Sequence, residues 1–197
     1  MGGTILKFRN INWTIFSLCR SDDADRAPKF YKVAEYFGAK GIISDMEDEH
    51  IMNIRQSMPE VEKRLLTLLR RKRYDYLFTH NANGEYGHLR HKGVHRAIKK
   101  MLSGGQLTAK NIFYFCYKMA KNGKMGEPDK KKSNLITKLK ANIHKKKLHI
   151  IQNIYGFTPN SFESRSCADI ETFQKQSFDR NVKREAWNVV NVSSFKL

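Results

Sequence analysis

Residues Thr79 to His95 read THNANGEYGHLRHKGVH, and they follow an apolar run, Tyr74-Asp75-Tyr76-Leu77-Phe78, with the character of a buried strand. Asn81, Asn83 and Gly84 are residues that favour turns. After them His88, His91 and His95 recur three and four residues apart, the spacing of one helical face. His91 also precedes Val94 and Ile98 by three and seven residues, which puts it on the sheet-facing stripe of that helix. With His80, the stretch holds four of the chain's seven histidines. A strand, a polar turn and an amphipathic helix form a unit of an open α/β sheet, whose sites collect at the carboxyl ends of the strands.

Working outward, the chain alternates. Residues 4–8 read as the end of a short helix, and Ile11 to Cys19 as a strand. Asp22, Asp23 and Asp25 offer caps for a helix that starts near Asp25 and stops at Gly38. Gly41 to Ser44 is a second strand, followed by the acidic cluster Asp45, Glu47, Asp48 and Glu49. Pro59 is expected to open the next helix, with Arg70 to Arg73 in its last turn. Tyr74 to Phe78 is a third strand, His88 to Leu102 a helix, Asn111 to Tyr117 a fourth strand and Asn134 to Tyr155 a long helix. This order predicts an α/β fold: a Rossmann-like, doubly wound, mostly parallel sheet with helices on both faces. The expected organisation is one domain over 1–156, with 157–197 an appendage packed on it through Phe162, Phe173, Phe178 and Trp187.

Composition narrows the classes. The 197 residues suffice for one buried core, and 40% hydrophobic with 28% charged content is ordinary. The charge is not: 37 Lys and Arg against 19 Asp and Glu give +18, a field that draws polyanions. Lys118 to Lys147 alone holds eleven lysines against Glu127 and Asp129, a candidate polyanion contact. Three scattered cysteines without a CxxC pair argue against a disulfide framework and suit a reducing, cytoplasmic location. No stretch is apolar for long enough to cross a bilayer, and the N-terminus lacks a signal-peptide core.

Three readings of the histidine helix stand on spacing alone. His88 and His91 serve metal binding, serve catalysis, or pair with carboxylates at the rim. One short helix seldom supplies all three ligands of an open zinc site, so a set made only of His88, His91 and His95 is disfavoured.

Thr79-His80-Asn81, Gly84-Glu85-Tyr86-Gly87-His88 and His91-Lys92-Gly93-Val94-His95 together resemble the second signature of the LmbE/PIG-L zinc-dependent N-deacetylases. The preceding strand, Arg26 and the helix end Phe37-Gly38 resemble the family's order of elements, so the likeness covers about residues 2–118. It implies that His91 ligates Zn2+ and that His88 assists at the carbonyl oxygen or the leaving group. It also implies that Tyr86 contacts the substrate near the scissile amide and that Arg26 holds the substrate. The implied reaction is hydrolysis of the acetamide of an N-acetylglucosamine-containing glycan or glycoconjugate. His95 has no counterpart and reads as structural. Arg90 stands where many members carry an acid.

The family's first signature, His-Pro-Asp-Asp-Glu, supplies two further ligands and the general base, and a Gly-Gly-Thr follows it. This chain begins Met1-Gly2-Gly3-Thr4, so the strand and loop carrying that signature are expected to be missing and activity of 1–197 alone is in doubt. Asp22, Asp23 and Asp48 are the acids that could reach the rim instead. An interior strand would be lost with that signature, which predicts poor stability unless strands re-pair or another chain fills the gap. The alternative function is a non-catalytic basic module for nucleic acid or anionic glycan, and a third is a degenerate homologue kept as a glycan-binding protein.

Overall fold

The computed structural model describes residues 1–49, 51–70, 73–177 and 188–193. Phe178 and Trp187, expected as anchors, lie outside these residues, as do Arg71 and Lys72.

The elements, in chain order, begin with α1 (Gly2–Lys7), β1 (Asn12–Ser17), α2 (Arg26–Phe37), β2 (Lys40–Ile43), α3 (Ile54–Leu68) and β3 (Arg73–Thr79). A single turn, α4 (Gly84–Gly87), leads into α5 (Leu89–Ser103) and β4 (Thr108–Phe115). Three short strands follow, β5 (Tyr117–Met119), β6 (Gly126–Pro128) and β7 (Leu135–Lys138). Then come α6 (Ala141–His149), continued by a π-helical stretch over Ile150–Ile154, and α7 (Phe162–Arg165). The last two elements are β8 (Ile170–Ser177) and β9 (Asn188–Ser193).

The expectation of a doubly wound, mostly parallel sheet is overturned by the strand pairings. β1 and β2 form a parallel pair, whereas β3, β4, β8 and β7 form a mixed group in which β8 runs antiparallel to both β4 and β7. β5 and β6 form a separate antiparallel hairpin. The alternation of strand and helix ends at β4, because the segment after it contains turn residues rather than a crossover helix. Gly123 there adopts φ +68°, and Pro128 closes the hairpin.

β9 joins the two groups. It lies between β1 and β3, parallel to each, and gives the order β2-β1-β9-β3-β4-β8-β7. An interior position of the sheet is thus held by a strand from far along the chain. Residues 157–197, expected as an appendage, contribute β8 and β9 to the sheet itself.

Side chains alternate across the strands into two cores. Leu77 of β3 and Ile112 and Tyr114 of β4 meet Val61 and Leu65 of α3 and Val94, Ile98 and Met101 of α5. On the other face Trp13, Ile15, Phe78, Phe113 and Phe115 meet Ile5, Phe30, Val33, Phe37 and Ile150. Phe78 and Phe113 stack with centroids 4.5 Å apart. Where α5 packs on α3, a Cβ on Gly93 would lie 2.4 Å from Ser57 Oγ, so any larger residue there would force the two to shift apart.

Two boundaries differ from the sequence expectation. α3 starts at Ile54, five residues before Pro59, because Asn53 and Gln56 form a reciprocal capping box that fixes the start, and Pro59 lies inside the helix. Arg73, expected in the last turn of that helix, begins β3. Leu135, Ile136 and Leu139 were expected on the long helix, but the first two are exposed on edge strand β7 and Leu139 is buried against Gly3 of α1. Short apolar runs fit either period, and here the hydrogen bonds to β8 decide.

Candidate metal centre

β3 delivers His80 at its carboxyl end, and the four residues that follow reverse the chain. Asn83 caps the turn by accepting from the Glu85 N–H, and Gly84 takes φ +64°. Glu85 is forced into a conformation that side chains seldom adopt, φ 57° and ψ −80°. Its carboxylate is thereby turned inward between two imidazoles. Glu85 Oε2 lies 2.8 Å from His80 Nδ1 and 2.5 Å from His91 Nδ1, and Oε1 accepts from the Asn81 N–H at 2.9 Å. The His80 and His91 rings stack at 3.8 Å, inclined by 13°.

The chemistry of this cluster follows from its burial. His80, Glu85 and His91 are each at most 7% exposed. Burial would raise the Glu85 carboxyl, but the His80 and His91 rings outweigh it and hold the group well below the usual carboxylate range. Burial, reinforced by the His80 ring, depresses His91 despite the Glu85 charge, so its imidazole is neutral at pH 7, the form that ligates metals. With Nδ1–H donated to Glu85, Nε2 of His91 is a buried lone pair that has no hydrogen-bond partner among the described residues.

One ligand atom from each of His80, Glu85 and His91 lies within 4.8 Å of the others, so this buried group could hold a metal ion. Two imidazoles and a carboxylate form a donor set found in open catalytic zinc sites. Tetrahedral ligation with bonds of about 2.0–2.1 Å separates donor atoms by roughly 3.3 Å. Taking an ion among the three would replace the hydrogen bonds that Glu85 Oε2 now makes to the two imidazoles.

The remaining residues expected at the site take distinct places. His88 is the N-cap residue of α5, and its ring lies 4.5 Å from that of His91. The Tyr86 ring stands edge-on to His91 at 5.4 Å and to His88 at 6.1 Å, backed by Phe162 at 5.1 Å. His95 is drawn away, with Nδ1 bonded to the His80 carbonyl at 3.0 Å, which fixes the exit of β3. Arg90 turns to the opposite side and is fully buried against Glu47 and the Met52 carbonyl. Arg26 makes no contact with the histidines among those described. It lies over Phe157 at 4.9 Å and beside Asp25 at 3.8 Å.

Of the three acids considered as stand-in ligands, Asp23 caps α2 through the Asp25 and Arg26 N–H groups, and Asp22 is exposed. Asp48 is 3% exposed, and its negative charge acts on both His91 and Tyr86. The residues that the sequence reading misses are His80 and Glu85, although an acid placed in a tight turn between two histidines is itself a signal.

No protein-family model matches the chain. It is similar to the uncharacterized protein L374 of Acanthamoeba polyphaga mimivirus, 32% identical over 92 residues. The match covers 47% of this chain and 38% of that protein. No helix among the described residues is long and apolar enough to cross a membrane.

Proposed function

We propose that the chain is a metal-dependent amide hydrolase that binds Zn2+ at the His80–Glu85–His91 cluster and acts on N-acetylated amino sugars. The observation that carries this reading is the buried His80–Glu85–His91 group, which offers one ligand atom from each residue within 4.8 Å of the others. A metal held by these residues would supply Lewis acidity and a more acidic water. The chain's own residues do the rest. Glu85 keeps a negative charge in the cluster. His88, at the start of α5 and beside His91, is placed to donate to the developing oxyanion or to the departing amine. Tyr86 forms a wall on the same side, and its hydroxyl stays protonated because burial, with the Glu85 charge, raises it. Arg26 lies over Phe157, which lines the same cavity as Tyr86, and there it can hold the polar part of the substrate.

The test is acetate release from N-acetylglucosamine conjugates by the zinc-loaded chain. His91→Ala should abolish it and His88→Ala should lower kcat by roughly 10²–10⁴. Equal rates in wild type and His91→Ala would refute the assignment.

A second reading rests on a separate observation. Residues 130–162 contain eight lysines and no acid, and Lys130, Lys131, Lys132, Lys138, Lys140, Lys145 and Lys146 are exposed. That face suits a polyanion, nucleic acid or anionic glycan. Binding to single-stranded RNA that falls steeply with salt, and that survives removal of metal, would favour it.

A further inference from the structure

Between α1, α2 and the π-helical stretch lies a cavity of about 260 Å³. Its walls are apolar: Ile5, Ile15, Val33, Phe37, Ile150 and Phe157 form most of them. Tyr86 and Phe162 close one end, and these two rings touch edge-to-face at 5.1 Å. The Tyr86 ring also meets His91 and His88, so the wall of the cavity is shared with the metal cluster. Phe157, elsewhere on the lining, carries Arg26 over its face.

A sugar does not suit it. Lys147 and Glu163 are the charged side chains that reach the lining, and Lys147 is already paired with Glu171 at 3.1 Å. Hydroxyl groups placed among Ile5, Ile15, Val33 and Ile150 would lose their hydrogen bonds to water without finding new ones there. An apolar void is itself costly to a fold, and a hydrocarbon that fills it recovers the lost contacts. A cavity of about 150 Å³ accepts a benzene-sized guest of six carbons, so on that scale this one has room for roughly ten.

We propose that the cavity binds a saturated hydrocarbon chain of about ten carbons belonging to the substrate whose amide is presented at His91. This rests on the amide-hydrolase reading for its placement, but chain binding itself needs neither metal nor turnover. Such a chain has two possible sources, the acyl group on nitrogen or an alkyl group elsewhere on the sugar. The test is calorimetric titration of the metal-free protein with two series, N-acylglucosamines and alkyl N-acetylglucosaminides, from two to twelve carbons.

In the series that matches the true source, affinity should rise about fourfold per methylene and level off near ten carbons. Val33→Phe, which fills the cavity, should move the plateau to shorter chains, and Phe37→Ala should move it to longer ones, with far-UV circular dichroism confirming that each variant folds. Should one variant fail to fold, the shift in the other remains decisive. Affinity independent of chain length in both series, or a plateau that neither variant moves, would overturn the proposal. Chain binding by a protein that releases no acid from any amide would leave the cavity assignment standing and refute the hydrolase reading. Hydrolysis of acetamides with no gain from longer chains would do the reverse.

Discussion

Replacing Val190 by proline tests where β9 lies. Val190 stands in register with Thr14 of β1 on one side and Leu77 of β3 on the other, in the interior of the sheet. Proline has no N–H to give to either neighbour, and its ring is tolerated only at edges and bulges. A carbonyl left without its donor in the interior costs about 1–3 kcal/mol. Taking the upper end because the ring also crowds the ladder, about 3 kcal/mol at 2–4 °C each lowers Tm by roughly 6–12 °C for a chain of this size. Thermal unfolding followed by circular dichroism reads this directly. Hydrogen exchange on the wild type adds a local check, since the amides of Val189 to Val192 should be among the slow set.

A more severe version ends the chain at Ser177. β9 contributes six registered pairs with β1 and four with β3. At about 1 kcal/mol net for each pair, the loss is on the order of 10 kcal/mol. That is comparable to a whole domain's stability of about 5–15 kcal/mol, so the shortened chain should not unfold cooperatively. A Val190→Pro protein with wild-type Tm, or fast exchange at Val189–Val192 in the wild type, would refute the placement of β9.

Two other consequences concern packing and pH. Gly93→Ala should destabilise by about 1–3 kcal/mol through overpacking, although alanine is the better helix former, because its Cβ would sit 2.4 Å from Ser57 Oγ. Adding Ser57→Ala removes that oxygen, and chemical denaturation should show the double variant to be more stable than Gly93→Ala alone. Glu171 is fully buried and accepts from Thr4 Oγ1, the Thr4 N–H and Lys147. Burial would raise its carboxyl, but the Met1 amino group, Lys147 and Thr4 outweigh it and depress the group in the folded state. The stability it contributes is therefore present above its unfolded pKa of 4.5 and is lost as pH falls toward the folded value. Glu171→Gln should cost about 3–5 kcal/mol at pH 7 and flatten the loss of stability below pH 5, as measured by urea unfolding across pH.

What the sequence made legible was local. Asn81, Gly84 and the spacing of His91, Val94 and Ile98 announced a turn and an inward-facing histidine, and the structure has both. Gly38 ends α2 in the left-handed conformation that its position after Phe37 suggested. The relations that needed distant partners were hidden. Nothing in Asn188 to Ser193 states that it pairs with β1 and β3, more than a hundred residues away. The antiparallel entry of β8 beside β4 is also invisible to periodicity, and it turned the expected parallel sheet into a mixed one. At the site, the helical spacing drew attention to His95, which spends its ring on a backbone carbonyl. It drew attention away from His80 and Glu85, whose meeting depends on a strained turn rather than on a repeat.

The His80–Glu85–His91 cluster is tested most directly by metal content. The chain purified without chelator, or stripped and reloaded with Zn2+, should carry one ion per molecule by inductively coupled plasma mass spectrometry. His91→Ala, with its fold verified by circular dichroism, should carry none, and Glu85→Gln should bind at least roughly ten- to a hundredfold more weakly by calorimetry, the cost of losing even an orienting carboxylate and a lower bound for losing a ligand. Wild-type protein that takes up no metal, or a His91→Ala protein that retains a full equivalent, would contradict the account.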